Sequence, residues 1–251
     1  MEAELSDIER KRYSAQIAAG GFGLAGQQKL AQARALVVGA GRVGSTVAAQ
    51  LASAGTGYLG VADGETIADA DLASQSMHFT LDLGASKADS VAAKLGVLNP
   101  QVQVDSFPVE VTPDNCEAIV AGHDLVVTCV GDRATRLLVN DACVAAGILL
   151  VDCVAGGARG AVQPIDPGRS ACLRCSAFEA SDAGATPALA AAVGALGAIE
   201  AVKLMSRTGV ASIARIELDV AAGSIELPPL ARDECCEVCE SAAQLGQEVH
   251  A

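Results

Sequence analysis

Ala35-Leu36-Val37-Val38-Gly39-Ala40-Gly41-Arg42-Val43-Gly44 decides the fold of this chain. A short apolar run ends directly in Gly-x-Gly-x-x-Gly, and the Ala-rich stretch from Ser45 to Ala54 reads as a helix. A strand that feeds a glycine turn opening a helix is the phosphate-binding unit of a Rossmann-like fold. Gly39 permits the tight turn, Gly41 lets backbone approach a phosphate, and Gly44 allows close helix–strand packing. The positive end of the helix then faces the phosphates. Asp63 closes the next apolar run, 24 residues beyond Gly39, where a carboxylate accepts hydrogen bonds from a ribose. The pattern speaks for an adenine nucleotide, with NAD and ATP equally compatible. Glycines that only shape a turn are the bland alternative.

The alternation continues outward. Tyr58 to Asp63, Val102 to Val109, Leu125 to Cys129 and Ile148 to Asp152 read as strands. Lys87 to Leu98 reads as a helix that stops at Asn99-Pro100, and Arg133 to Ala146 as another. Thr186-Pro187 has the chemistry of an N-cap followed by proline, opening a helix to about Met205. Ser212 to Leu218 and Ser224 to Leu227 suggest a closing hairpin. The expected fold is α/β, Rossmann-like and doubly wound, with a mostly parallel sheet covered by helices on both faces. One domain is expected over 1–251: a helical arm over 1–30, a nucleotide-binding core over 31–165, and a metal-clamped part over 166–251.

Two Cys-x-x-Cys pairs, Cys172/Cys175 and Cys236/Cys239, lie 60 residues apart. Four thiolates in two such turns suit a closed tetrahedral zinc site with Zn–S bonds of about 2.3 Å, structural rather than catalytic. A redox dithiol or two disulfides are the alternatives, and Cys235 leaves the register of the second pair open. The formal charge of −13 argues against nucleic acid, because a binder needs a basic face. Met1 to Asp7 has no apolar signal core, and the apolar stretch from about Ala188 to Ile199 reads as too short for a bilayer. The nine cysteines then fit four ligands plus buried thiols in a reducing cytosol, giving a cytoplasmic expectation with no membrane partner.

The chain resembles the MoeB/ThiF/HesA family, relatives of the ubiquitin-activating enzymes. The resemblance is carried by Arg12-Tyr13-Ser14-x-Gln16-Ile17, Gly26-Gln27-x-Lys29-Leu30, the glycine turn, Leu51-Ala52-x-Ala54-Gly55-Thr56-Gly57 and Gly84-x-x-Lys87. Leu98-Asn99-Pro100, Arg136 with Asn140, both cysteine pairs and Gly197-x-x-x-x-Val202-Lys203 complete it. It implies ATP-dependent adenylation of a carboxylate, such as the C-terminus of a small ubiquitin-like sulfur carrier, a peptide or a small acid, with Mg²⁺ and release of pyrophosphate. It also implies a homodimer, Asp63 on the ribose and Lys87 on the phosphates.

The departures from that pattern cluster at the chemistry. An arginine donated by the partner protomer corresponds to Ala15, a second arginine to Ser74, an Asn to Asp71, and the magnesium-associated Asp to Gly131, next to Asp132. Losing one cation that faces a phosphoryl group costs roughly 10³–10⁵ in rate in related chemistries. Arg42, at the mouth of the glycine loop, is the candidate replacement, with Arg10 and Arg12 as reserves across a dimer. The bland readings are a surface Arg42 and a solvent-exposed Lys87. Catalytic expectations therefore fall on Lys87, Arg42 and Asp132. A degenerate member that only binds nucleotide or pairs with an active relative is the alternative function, and an NAD-dependent oxidoreductase a third.

Overall fold

The computed structural model describes residues 4–73, 77–181, 183–208 and 214–240. Its strands are β1 (Arg34–Val38), β2 (Tyr58–Ala62), β3 (Gln103–Phe107), β4 (Leu125–Thr128), β5 (Leu149–Gly156), β6 (Arg159–Ile165), β7 (Ile216–Asp219) and β8 (Ser224–Glu226). Its α-helices are α1 (Asp7–Arg12), α2 (Ser14–Ala18), α3 (Gly23–Leu30), α4 (Gly44–Ala54), α5 (Asp69–Leu72), α6 (Lys87–Leu98), α7 (Cys116–Val120), α8 (Arg133–Ala146) and α9 (Pro187–Ser206).

All eight strands form one sheet in the order β3-β2-β1-β4-β5-β6-β7-β8. The first five in that row are parallel and the last three run antiparallel. Strand β1 shows why the sheet is covered on both sides. Ala35 and Val37 point into a core with α4, α6 and α9, while Leu36 and Val38 point into one with α7 and α8. Such a strand has no polar face, hence its unbroken apolar run. The chain leaves β1 toward β2 and β3 on one side and returns to β4 on the other. The gap between the C-terminal ends of β1 and β4 is thus the switch point where α/β sheets bind ligands.

Helices α6 and α8 lie where the sequence placed them, capped by Ser86 and Asp132. Thr186 caps α9 through the Leu189 amide, with Pro187 in the first turn. The apolar run expected to end near Ile199 belongs to a longer, 20-residue helix. That corrects its reading as too short: α9 is the one described helix long and apolar enough to cross a membrane. Its small residues have a packing reason. A Cβ at Gly197 would stand 2.3 Å from Cys153 Sγ, and one at Gly194 2.8 Å from Val43 O, so α9 rides directly on β5 and the start of α4. The β5–β6 hairpin was not legible, because the β5 end through Ala155 and Gly156 carries no strand signal. The closing hairpin is β7–β8; Ser212 and Ile213, expected to begin it, lie outside the described residues.

The N-terminal arm docks through the residues that carried the family resemblance. The Tyr13 ring lies over Gly55, where a Cβ would be 2.4 Å from Cζ, and its hydroxyl accepts from Asn99 Nδ2 at 2.8 Å. Asn99 Nδ2 also donates to Ala52 O at 2.6 Å, and Gln16 and Gln27 both donate to Ala54 O.

Candidate functional site

The glycine turn is held open by steric necessity. Gly39 has φ +97°, and a Cβ there would sit 3.0 Å from Val130 Cγ1 and 3.1 Å from the Cys129 carbonyl. A Cβ on Gly44 would fall 1.7 Å from Gly39 O, so residue 44 has no room for a side chain. Helix α4 begins at Gly44 without a side-chain cap or an acid in its first turn. The amide groups of that turn stay available to an anion.

A cleft of about 910 Å³ opens over these strand ends. Gly39, Gly41, Arg42, Asp63, Lys87 and Asp132 all line it, with Gly44 directly behind the loop. Asp63 does more than wait for a ribose. Its Oδ2 accepts from Ala40 N at 2.7 Å and its Oδ1 from Glu65 N at 2.8 Å, so the acid also ties the glycine loop to β2. The next peptide group is held as well, where buried His78 places Nε2 3.1 Å from Ala40 O and Nδ1 3.3 Å from Ser90 Oγ. Burial holds the His78 pKa below the ordinary histidine value. His78 therefore works as a loop support, a role that a lone histidine in the sequence does not advertise.

Lys87 corrects its bland reading, because it is buried rather than solvent-exposed. Its Nζ lies 2.5 Å from Glu65 Oε2 and 3.2 Å from Asp71 Oδ1. Burial alone would depress the Lys87 pKa, but these two carboxylates outweigh it and raise the value. For Asp71, burial pushes upward and is overcome by the Ala68 amide and Lys87, which lower it. The acidic lip of Glu65 and Asp71 thus closes around a lysine. Arg42 is exposed, lies against Gly184 and makes no ion pair with the described residues. Asp132 Oδ2 caps α8, accepting from Thr135 N at 2.7 Å and Thr135 Oγ1 at 2.8 Å. Those bonds hold its carboxyl below the usual range. Gly131 lines the cleft beside it. Ala15 is exposed on α2 and is not among the cleft-lining residues, while Ser74 lies outside the described residues. Arg10 and Arg12 donate within their own chain, to Leu5 O and Leu98 O.

Two further features escaped the sequence reading. Arg136 on α8 pairs with Asp152 on β5 through Nε at 2.9 Å and Nη2 at 2.5 Å, and Thr128 Oγ1 donates to the same carboxylate at 2.7 Å. Arg136 Nη1 also donates to Phe178 O at 3.1 Å, tying the loop after the first cysteine pair to the cleft floor. At the cleft mouth Arg133 Nε meets Glu179 Oε1 at 2.5 Å. Glu179 sits in a stretch without periodicity, so only the fold brings the two together.

The four cysteine sulfurs converge within 4.8 Å of one another. Cys172–Cys236 is 3.8 Å, Cys172–Cys175 is 3.9 Å and Cys175–Cys239 is 3.5 Å. A tetrahedron with arms of about 2.3 Å has edges of about 3.8 Å, so the cluster fits a zinc-sized tetrathiolate. Cys235 is exposed outside the cluster, which settles the register of the second pair. No two cysteines are bonded in this structure, and the separations within the cluster suit a shared ion rather than S–S bonds of about 2 Å. Asn140 Oδ1 accepts from Leu173 N at 2.9 Å, and Asp141 pairs with Arg174 at 2.6 Å, fixing the first knuckle to α8.

The profile of the ThiF family matches residues 13–238. A protein of Mus musculus named adenylyltransferase and sulfurtransferase MOCS3 is 40% identical over 173 residues, 69% of this chain and 38% of that protein. The adenylyltransferase and sulfurtransferase uba4 of Pyricularia oryzae is 39% identical over 140 residues, 56% of this chain and 29% of that one. The chain spans about a third of the length of these curated relatives. Among solved structures, E. coli MccB with ATP superposes with a TM-score of 0.82 at 20% identity, covering 91% of this chain and 74% of that one. PaaA does so with 0.77 at 18%, covering 90% and 75%. At those identities the likeness is one of fold.

Proposed function

The chain belongs to the ThiF family, and on that premise we propose that it activates a carboxylate by adenylation with ATP. The observation that carries this reading is the convergence, at one switch-point cleft, of an uncapped glycine loop, Asp63, Lys87 and Arg42. In the reaction a carboxylate oxygen attacks the α-phosphorus, the bond to the bridging oxygen breaks, and pyrophosphate leaves. Both reactants are anions, so positioning and cationic stabilisation supply most of the catalysis. Gly39, Gly41 and Gly44 shape the loop whose amides receive phosphate. Asp63 offers the remaining lone pairs of its loop-tying carboxylate to the ribose. Lys87 exchanges part of its contact with Glu65 for phosphate oxygens, and Arg42 stands in for the charge absent at Ala15. Asp132 supplies hard carboxylate oxygen suited to Mg²⁺, which would neutralise the leaving pyrophosphate. The four cysteines would hold zinc, which would supply a structural staple rather than a catalytic centre.

The acceptor in this reading is the tail of a small carrier protein or a peptide. The working form is a cytoplasmic homodimer, each chain one adenylation domain in a biosynthetic pathway. E. coli MccB, which shares the fold, has been crystallised with ATP and with N-formylated MccA. The test is exchange of labelled pyrophosphate into ATP by purified protein with magnesium and candidate carboxylates. Acid-dependent exchange is expected, reduced about 10²-fold or more in Lys87→Ala. ATP binding without exchange for any carboxylate would instead select the alternative, a non-catalytic nucleotide-binding member. The residues that favour that second reading are Ala15 and Gly131, where family charges are gone.

A further inference from the structure

Four cations line the cleft, and the fold treats them differently. Arg136 is buried against Asp152, and Lys87 is buried between Glu65 and Asp71. Arg42 is unpaired among the described residues. Arg133 is the only one whose pairing is exposed on both sides, its side chain 56% accessible and that of Glu179 66%. Such a pair is weak and readily exchanged. Its two members belong to different walls of the cleft. Arg133 is the first residue of α8, beside the Asp132 cap, and Glu179 is on the strap that roofs the cleft. The strap is fixed just before Glu179, since the Phe178 carbonyl accepts from Arg136. The Phe178 ring is flanked by the guanidinium groups of Arg159 at 4.9 Å and Arg215 at 5.5 Å. It is fixed again at Ala183, whose carbonyl accepts from Gly157 N at 2.8 Å. Between those points, Arg133–Glu179 is the ion pair that joins strap to floor among the described residues.

We propose that Arg133 is a partner-switching arginine, bound to Glu179 in the free protein and to the β- and γ-phosphates when a nucleoside triphosphate enters. This rests on the adenylation reading and deepens it, naming an in-chain cation for the leaving pyrophosphate where the family arginines are missing. A guanidinium gains more from bidentate contact with a polyphosphate than from one exposed carboxylate. The exchange frees the Glu179 stretch of the strap as the phosphates arrive. Nucleotide binding and strap release are therefore the same event.

The test is calorimetric binding of Mg·ATP and of AMP to wild type, Arg133→Ala, Glu179→Gln and the double variant. Arg133→Ala is expected to weaken ATP about ten- to a hundredfold while leaving AMP unchanged. Glu179→Gln removes the competitor and is expected to tighten ATP about two- to fivefold, an effect lost in the double variant. Equal weakening of ATP and AMP in Arg133→Ala, or ATP affinity unmoved or weakened in Glu179→Gln, would overturn the switch while leaving adenylation standing. Wild-type protein that takes up no ATP would overturn both.

Discussion

At residue 44 the geometry leaves no choice, because a methyl group would penetrate the carbonyl oxygen of Gly39. Gly44→Ala is expected to cost about 2–3 kcal/mol by overpacking and to abolish ATP binding, measured by urea denaturation and calorimetry. Gly39, Gly44 and Asp63 were all legible, since turn chemistry and spacing are written locally. The second duty of Asp63, tethering the Ala40 amide, was not, and neither was His78 at the Ala40 carbonyl. Both depend on which atoms the fold places together. His78 and His123 are buried and titrate below the ordinary value. The unfolded chain therefore binds protons that the folded one refuses. Stability is present above the unfolded histidine value of about 6.5 and is lost as pH falls through the lower folded values. Urea midpoints measured from pH 7.5 down to pH 5 should fall, and His78→Gln should flatten part of that decline.

Among the elements, α8 does the most joining. It delivers Asp132 and Arg133 to the cleft mouth, Arg136 to its floor, and Asn140 with Asp141 to the first cysteine knuckle. Its extent was readable from the pattern between two strands, but its Asp132 cap and its bond to Asp152 were not, the latter because the partner lies on another element. Breaking that buried pair by Asp152→Ala leaves a guanidinium without a counterion and should cost about 3–5 kcal/mol. Replacing both residues with apolar ones of similar volume should recover much of that loss, as a double-mutant cycle in urea would report. Helix α9 teaches a complementary lesson. Its composition alone matches a membrane span, yet Gly194 and Gly197 are there to let it lie against α4 and β5.

For the molecule as a whole, one sheet runs from β3 past the nucleotide loop to the closing hairpin, and the cysteine cluster fastens the last described segment to the α8 side of the core. The parallel strands were legible as apolar or alternating runs and the closing β7–β8 hairpin was read too, whereas the β5–β6 hairpin turns in small residues with no such signature. Metal analysis should return about one zinc per chain. Chelation, or Cys236→Ser, should lower the melting temperature by roughly 10 °C at about 2–4 °C per kcal/mol, while the glycine loop remains intact.

The cysteine knuckle and the Thr186 cap pin the two ends of the segment that covers the cleft. A span moored at both ends can be lengthened cheaply, since doubling a loop adds only about 0.6 kcal/mol of closure cost. A longer stretch grafted between Glu179 and Ala183 is thus expected to leave the Gly39–Gly44 floor folded, which an unchanged urea midpoint would report.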